Sequence, residues 1–212
     1  MILYGYWRSS SSWRVRIALN LKGITFENVP VHLVKDGGRQ HAPEHVARNP
    51  MHQVPVLEVE RDGQTHHLTQ SLAILYWLEQ EFPEPRLIPR EPMRAHRAWE
   101  AAELINSGIQ PLQNLATALR VQAFGGDRQA WSATANSEGL GALETLVRDA
   151  KTPFMVGDSP TIADICLIPQ LYSARRYDLD LSIYPTLLRI EAACEALPAF
   201  QHAHPSAQPD AQ

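Results

Sequence analysis

Ile2-Leu3-Tyr4-Gly5-Tyr6-Trp7-Arg8-Ser9-Ser10-Ser11-Ser12-Trp13-Arg14-Val15-Arg16-Ile17-Ala18-Leu19-Asn20-Leu21-Lys22-Gly23 decides how the rest of the chain is read. The apolar run Ile2–Tyr6 reads as a strand. Serines 9 to 12 follow it. Trp13, Val15, Ile17, Ala18, Leu19 and Leu21 then mark a helix, and Gly23 suits the left-handed position just past its end.

Working outward, residues 24–34 read as a second strand with Phe26, Val29, Val31 and Leu33 at apolar positions. Pro30 cannot donate to a ladder, so this strand belongs at a sheet edge. Residues 35–41 are polar and read as a mobile loop. After Asn49-Pro50, Pro55 opens a strand over 56–59. Arg61-Asp62-Gly63-Gln64 is a hairpin turn signal, and residues 66–69 form the return strand. Gln70-Ser71 begins a helix carrying Leu72, Ile74, Leu75, Trp77, Leu78 and Phe82. The order β-α-β, hairpin, helix is that of a small α/β domain with one parallel crossover. Prolines at 83, 85, 89 and 92 then read as a linker. From Met93 the pattern is helical, with helices expected at 93–123, 128–149, 161–176 and 186–197. The stretch 205–210 reads as a frayed or draped tail. The fold class is therefore α/β plus all-α, with domains at 1–83 and 93–212 joined by a linker at 84–92.

Composition narrows the function. The 212 residues are 44% apolar and 20% charged, with net charge −4. That is an ordinary globular balance with no global positive field for nucleic acid. No apolar stretch approaches a membrane span. Two distant cysteines, Cys166 and Cys194, suggest neither disulfides nor zinc, and point to a reducing cytoplasm. The nine histidines are scattered, and no metal site is expected. Dinucleotide, P-loop, zincin and nucleophile-elbow motifs are absent.

Four sets of residues could carry chemistry. Ser9–Ser12 precede a helix, whose free N–H groups and partial positive charge favour an anion. Hydroxyls there could lower the pKa of a bound thiol, or the run could be a plain serine cap. Val54-Pro55 could be a cis junction against which an extended peptide pairs, or a trans proline opening a strand. Gln70-Ser71 could receive a carboxylate at a helix start, or Ser71 could simply cap it. Arg8, Arg14, Arg16, Arg175 and Arg176 are candidates to grip a carboxylate bidentately, or solvated or paired side chains. Thr161-Ile162-Ala163-Asp164 reads as a structural capping box.

Taken together, Arg8-Ser9-Ser10-Ser11-Ser12-Trp13-Arg14-Val15-Arg16, Asn49-Pro50, Val54-Pro55, Gln70-Ser71, Thr161-Ile162-Ala163-Asp164 and Ala207-Gln208-Pro209-Asp210 resemble the zeta class of glutathione S-transferases. The resemblance runs over essentially the whole chain. It implies a thioredoxin-like amino-terminal domain, a helical carboxy-terminal domain, a homodimer, and glutathione in the cleft between the domains. It implies that Ser9, Ser10 and Ser11 surround the sulfur, and that Val54, before a cis Pro55, pairs with the cysteinyl backbone. Gln70 and Ser71 would hold the γ-glutamyl end, and Gln40 or His41 the glycyl end. Gln113 and Asn114 match a pair lining the cleft, while Arg8 and Arg176 resemble the arginines that hold substrate carboxylates. The chain departs from the family pattern in three places. Ser11 stands where a cysteine is frequent, Gln110 where a histidine is frequent, and Leu115-Ala116 where a maleylpyruvate isomerase would carry an arginine.

The resemblance implies glutathione-dependent cis–trans isomerisation of a maleyl diacid. Two alternatives remain at this level. One is a transferase or dehalogenase that consumes glutathione on small electrophiles such as α-halo acids. The other is a non-catalytic binding module of the same fold.

Overall fold

The computed structural model describes residues 1–211. The first apolar run forms β1 (Ile2–Gly5), and the helix after the serines is α1 (Ser10–Leu21). Gly5 lies where the two pass closely: a Cβ there would sit 3.2 Å from the Ser12 side chain. The helix ends at Gly23 with φ +66°, the Gly23 N–H donating to the Asn20 carbonyl and the Ile24 N–H to the Leu19 carbonyl. This is the left-handed exit expected there.

β2 (Glu27–Pro30) pairs parallel with β1 and lies at a sheet edge. It is shorter than the strand expected over 24–34, since its partner β1 offers only Ile2–Gly5 to pair with. The stretch expected as a mobile loop holds two single 3₁₀ turns, Lys35–Gly37 and Arg39–His41. A short helix that the sequence did not announce follows, α2 (Pro43–Arg48). β3 (Val56–Arg61) and β4 (Gln64–Thr69) form the expected hairpin. Asp62 and Gly63 have φ of 53° and 73°, the paired positive values of a tight two-residue turn. α3 (Ser71–Glu81) completes the layer. The sheet order is β2-β1-β3-β4, with β3 antiparallel to both neighbours. Leu3, Ile17, Leu19, Leu57, Leu75 and Leu78 have no solvent exposure and form the core between these elements. Each such side chain contributes about 1.5–3 kcal/mol on burial.

The helical unit opens with α4 (Pro92–Glu103), capped by the Glu91 carboxylate, which accepts from the Met93 and Arg94 N–H groups. Those two donors hold the Glu91 carboxyl below its ordinary range. A single helix was expected over 93–123, and the structure breaks it twice. A π-helical turn spans Leu104–Ile109, with the Gln110 N–H bonded to Ile105, five residues back. Pro111 has no N–H to give to the preceding turn, which favours such widening. After α5 (Gln110–Gln113), Asn114 is extended and its side chain accepts from the Ala116 N–H, starting α6 (Leu115–Ala123). α7 (Arg128–Val147), α8 (Ile162–Arg175) and α9 (Pro185–Glu195) follow near their expected positions.

By their contacts the residues form two units. One is Met1–Arg86 together with the chain from Leu197 onward, and the other is Leu87–Ala196. The expected division placed everything from 93 to 212 in the helical domain. Instead α10 (Pro198–Ala203) packs on α1, with Arg16 Nε donating to the Ala203 carbonyl at 3.1 Å and Asn20 Nδ2 to the Ala199 carbonyl at 3.1 Å. Of the two readings of the tail, frayed or draped, the structure shows the draped one. Gln208 Oε1 accepts from Asn28 Nδ2 at 3.0 Å, and Gln208 Nε2 donates to the carbonyls of His202 and His204. Gln212, the end of the expected second domain, lies outside the described residues.

The box at Thr161–Asp164 forms as expected. Asp164, wholly buried, accepts from the N–H groups of Thr161 and Met155 at 2.8 Å each and from the Thr161 hydroxyl at 3.0 Å. Removing it leaves two buried amides unsatisfied and breaks the reciprocal half of the α8 capping box, with the Thr161 cap left in place. Asp164→Ala is therefore expected to destabilise the protein by about 2–4 kcal/mol in urea unfolding. A change below about 0.5 kcal/mol would contradict that role.

Candidate active site

Ser9 is the N-cap of α1, and its Oγ accepts from the Ser12 N–H at 3.3 Å. The Ser9 N–H in turn donates to the Tyr6 carbonyl at 3.0 Å. Ser12 is turned inward: it is buried, and its Oγ accepts from the Tyr6 N–H at 3.4 Å. That leaves Ser9, Ser10 and Ser11 partly exposed around the helix start. No acidic side chain stands in the first turn of α1. The start of a helix stabilises an anion by about 0.3–1 kcal/mol, more when partly buried, and hydroxyl donors add to it. Since about 1.4 kcal/mol moves a pKa by one unit, donors of this kind lower the pKa of a thiol held there by about one unit. Arg8 lies in the same turn, its guanidinium 5.2 Å from the centre of the Trp7 ring.

The Val54–Pro55 peptide is cis. Val54 is half-buried, and among the described residues its backbone is outside the β3 ladder, which starts at Val56. The loop before it is fixed from α2: His45 Nε2 and Asn49 Nδ2 both lie 2.9 Å from the Gln53 carbonyl. His52 Nδ1 meets His41 Nδ1 at 3.1 Å, one ring donating and the other accepting. This contact brings the Gln40–His41 turn against the approach to Val54. Gln40 Nε2 donates to the Leu33 carbonyl, while Gln40 Oε1 is buried without a hydrogen-bond donor. Such an orphaned acceptor fits a ligand N–H or a water.

Gln70, not Ser71, is the N-cap of α3, and its side chain makes no cap bond. Its φ of +66° is rare for a residue with a side chain, and such backbone concentrates at ligand-binding places. Ser71 stands inside the first turn, so the simple-cap reading does not hold for it. Its Oγ accepts instead from Arg14 NH1 at 3.3 Å. Arg14 has no solvent exposure. It thus links the start of α3 to α1, a role the sequence reading missed. A signal was present, since two arginines, 14 and 16, fall within a run of positions that pack on every side.

In the helical unit the expected residues separate. Gln113 is buried in an amide cluster. Its Oε1 accepts from Asn136 Nδ2 at 2.6 Å and from Ser173 Oγ at 3.3 Å, and its Nε2 donates to Gln170 Oε1 at 3.2 Å. Gln110 joins the same cluster through Gln170 Oε1 at 2.6 Å. Gln113 is thus engaged within its own unit, whereas Asn114 is exposed. Arg175 is held bidentately by Glu191 at 2.6 Å per contact, which raises its pKa further. Arg176, at the end of α8, is exposed and has no ion-pair partner among the described residues. Also among the described residues, no group of three or more His, Cys, Asp or Glu could hold a metal, and no helix is long and apolar enough to cross a membrane.

Residues 1–80 match the family model for the glutathione S-transferase N-terminal domain, and residues 129–208 match the model for its C-terminal domain. The maleylacetoacetate isomerase of Rattus norvegicus is 48% identical over 209 residues, covering 99% of this chain and 94% of the rat protein. A maleylacetoacetate isomerase from Anaeromyxobacter dehalogenans, solved with glutathione in its active site, superposes with a TM-score of 0.91 at 51% identity, covering 100% of this chain and 97% of that one. The same protein has been solved with dicarboxyethyl glutathione and citrate, with a TM-score of 0.90 at 51% identity, covering 99% and 96% of the two chains. A maleylpyruvate isomerase, a bacterial zeta-class enzyme in its holo form, superposes with a TM-score of 0.93 at 39% identity over the full length of both chains. Matched in sequence along its whole length and in fold to these enzymes, the chain belongs to the zeta class of the glutathione S-transferases.

Proposed function

We propose that the protein is a glutathione-dependent cis–trans isomerase of maleyl diacids, with maleylacetoacetate or maleylpyruvate as substrate. The observation that carries this reading is the first turn of α1, where three partly exposed serines share a helix start with no carboxylate. The dicarboxyethyl glutathione in the Anaeromyxobacter relative supports it, since that ligand joins the tripeptide to two carboxylates.

When bound, glutathione supplies a thiolate that adds reversibly to the maleyl double bond, so that the bond can rotate before glutathione departs unchanged. The protein's part is binding, orientation and charge. Gln70 and Ser71 hold the γ-glutamyl end at the start of α3. Val54 pairs its backbone with the cysteinyl residue. Gln40 and His41 meet the glycyl end, and Gln40 Oε1 is the buried acceptor available there. Ser9, Ser10 and Ser11 direct hydroxyl and amide donors at the sulfur and keep it ionised. Arg8 and Arg176 take the substrate's carboxylates and stabilise charge that moves toward the carbonyl during addition. Asn114 contributes a polar contact, and Gln113 fixes the helix that presents it. The protein works as a cytoplasmic homodimer in the breakdown of aromatic compounds. Its two buried free cysteines agree with a reducing compartment.

Purified protein given catalytic glutathione and excess maleylacetoacetate or maleylpyruvate is expected to convert the substrate with the thiol titre constant. Loss of one thiol per turnover would favour a transferase, and failure to bind glutathione would favour a binding module. The two neighbouring arginines give a second test. Arg176→Ala is expected to raise KM for the diacid about 30-fold, or ~2 kcal/mol, with KM for glutathione unchanged. Arg175→Ala should lower the urea midpoint and leave both KM values alone. The opposite pattern would assign the substrate contact to Arg175.

A further inference from the structure

The turn from Tyr6 to Ser9 carries Arg8 and the α1 cap, and it is held by Arg16 and by Asp210, 203 positions from Trp7. The Trp7 N–H donates to Asp210 Oδ2 at 3.1 Å. The Trp7 carbonyl accepts from Arg16 NH2 at 2.8 Å, and the Tyr6 carbonyl from Arg16 NH1 at 3.5 Å. With Tyr6 N–H on Ser12 and Ser9 N–H on Tyr6, the turn keeps little backbone freedom. The tail also has anchors away from the turn. Gln208 ties it to Asn28 on β2, the His204 ring packs edge-on against Trp13 at 5.3 Å, and Arg16 Nε reaches the Ala203 carbonyl. Asp210 therefore presses on the Trp7 peptide from a fixed base.

We propose that the C-terminal tail is a working part of the active site, with Asp210, supported by Arg16, as a positioning residue that clamps the Trp7 peptide and so sets where Arg8 and Ser9–Ser11 point. The inference rests on the isomerase reading for what Arg8 and the serines do. Both backbone polar groups of Trp7, directly before Arg8, are held by charged side chains, and hydrogen bonds to charged groups are the stronger kind. The clamp also has an electrostatic base. Arg16 is buried, which pulls its guanidinium down to about 10, and Asp210 is the charge that opposes that pull. A small displacement of this turn changes donor directions at the sulfur without altering Val54, Gln70 or Ser71. Displacements on the order of 1 Å can cost up to about a hundredfold in rate.

A purely structural staple and a positioning clamp differ in what they move. Asp210→Ala in the full-length protein is expected to raise, by about one unit, the pH at which bound glutathione ionises, read from thiolate absorbance. It should also lower kcat about tenfold. Affinity for S-methylglutathione, which tests the peptide grip without an ionising sulfur, should stay within about twofold. Asp210→Asn keeps an oxygen that can accept from Trp7, and should recover most of both losses. The proposal is overturned if Asp210→Ala ionises bound glutathione at the wild-type pH. It is also overturned if S-methylglutathione affinity falls in step with kcat, or if Asp210→Asn is as damaged as Asp210→Ala. Should Asp210→Ala not fold, Gln208→Ala loosens the tail two residues earlier and is judged on the same readings. Wild-type protein that binds glutathione but isomerises nothing would sink the isomerase reading alone, and the ionisation shift would still decide the clamp.

Discussion

A helix start that is to hold a thiolate must keep its donors for the ligand. In α1 the cap is a hydroxyl, and no acidic side chain competes in the first turn. Ser9 uses a lone pair to accept from Ser12, and a hydroxyl that accepts can still donate its hydrogen. The position of this start is fixed because α1 is buried from Ser12 to Leu19, two arginines included. Buried charges are costly unless bonded, so each arginine ties α1 to something else. Arg14 reaches Ser71 at the start of α3. Arg16 reaches the carbonyls of Tyr6, Trp7 and Ala203. The two charges that look out of place in an apolar helix thus fix α1 against the start of α3 and against the turn before Ser9.

The departures from the family pattern have local accounts. Gln110, standing where a histidine is frequent, donates to Gln170 beside the π-helical turn. Gln113, Asn136, Gln170 and Ser173 complete a cluster in which amide donors meet amide acceptors. Ser173 lies one turn before Arg176 on α8, so the cluster sets the register between that arginine and the break at Asn114. Leu115 and Ala116, in place of an arginine, are exposed on the first turn of α6. Nothing in the structure explains Ser11 beyond its place in a donor-rich turn.

What the sequence made legible was local chemistry. Gly23, Pro30, Asp62-Gly63 and the Thr161–Asp164 box each act over a few residues, so the helix exit, the edge strand, the hairpin and the α8 cap could all be read directly. The family motifs named the residues from which the ligand site is proposed. What escaped was non-local or depended on burial. The Arg14–Ser71 and His41–His52 contacts join segments whose spacing carries no period. The Lys22–Glu79 ion pair is almost wholly buried, and nothing in the charge pattern marks it as such. The tail from Pro205 to Asp210 has the composition of a loose end, yet it is held by Gln208 and by Asp210 on Trp7. The break in the helix at 104–114 turns on the missing N–H of Pro111 and the capping side chain of Asn114, weak signals inside a long helical pattern.

We infer that the start of α1 holds glutathione as its thiolate. Ultraviolet absorbance of the wild-type complex, followed through a pH titration against free glutathione, tests it most directly. The bound thiol is expected to ionise about one to two pH units below the free one, the size that helix-start and hydroxyl donors supply together. Ionisation at the same pH as free glutathione would contradict it and leave the proposed reaction without its nucleophile.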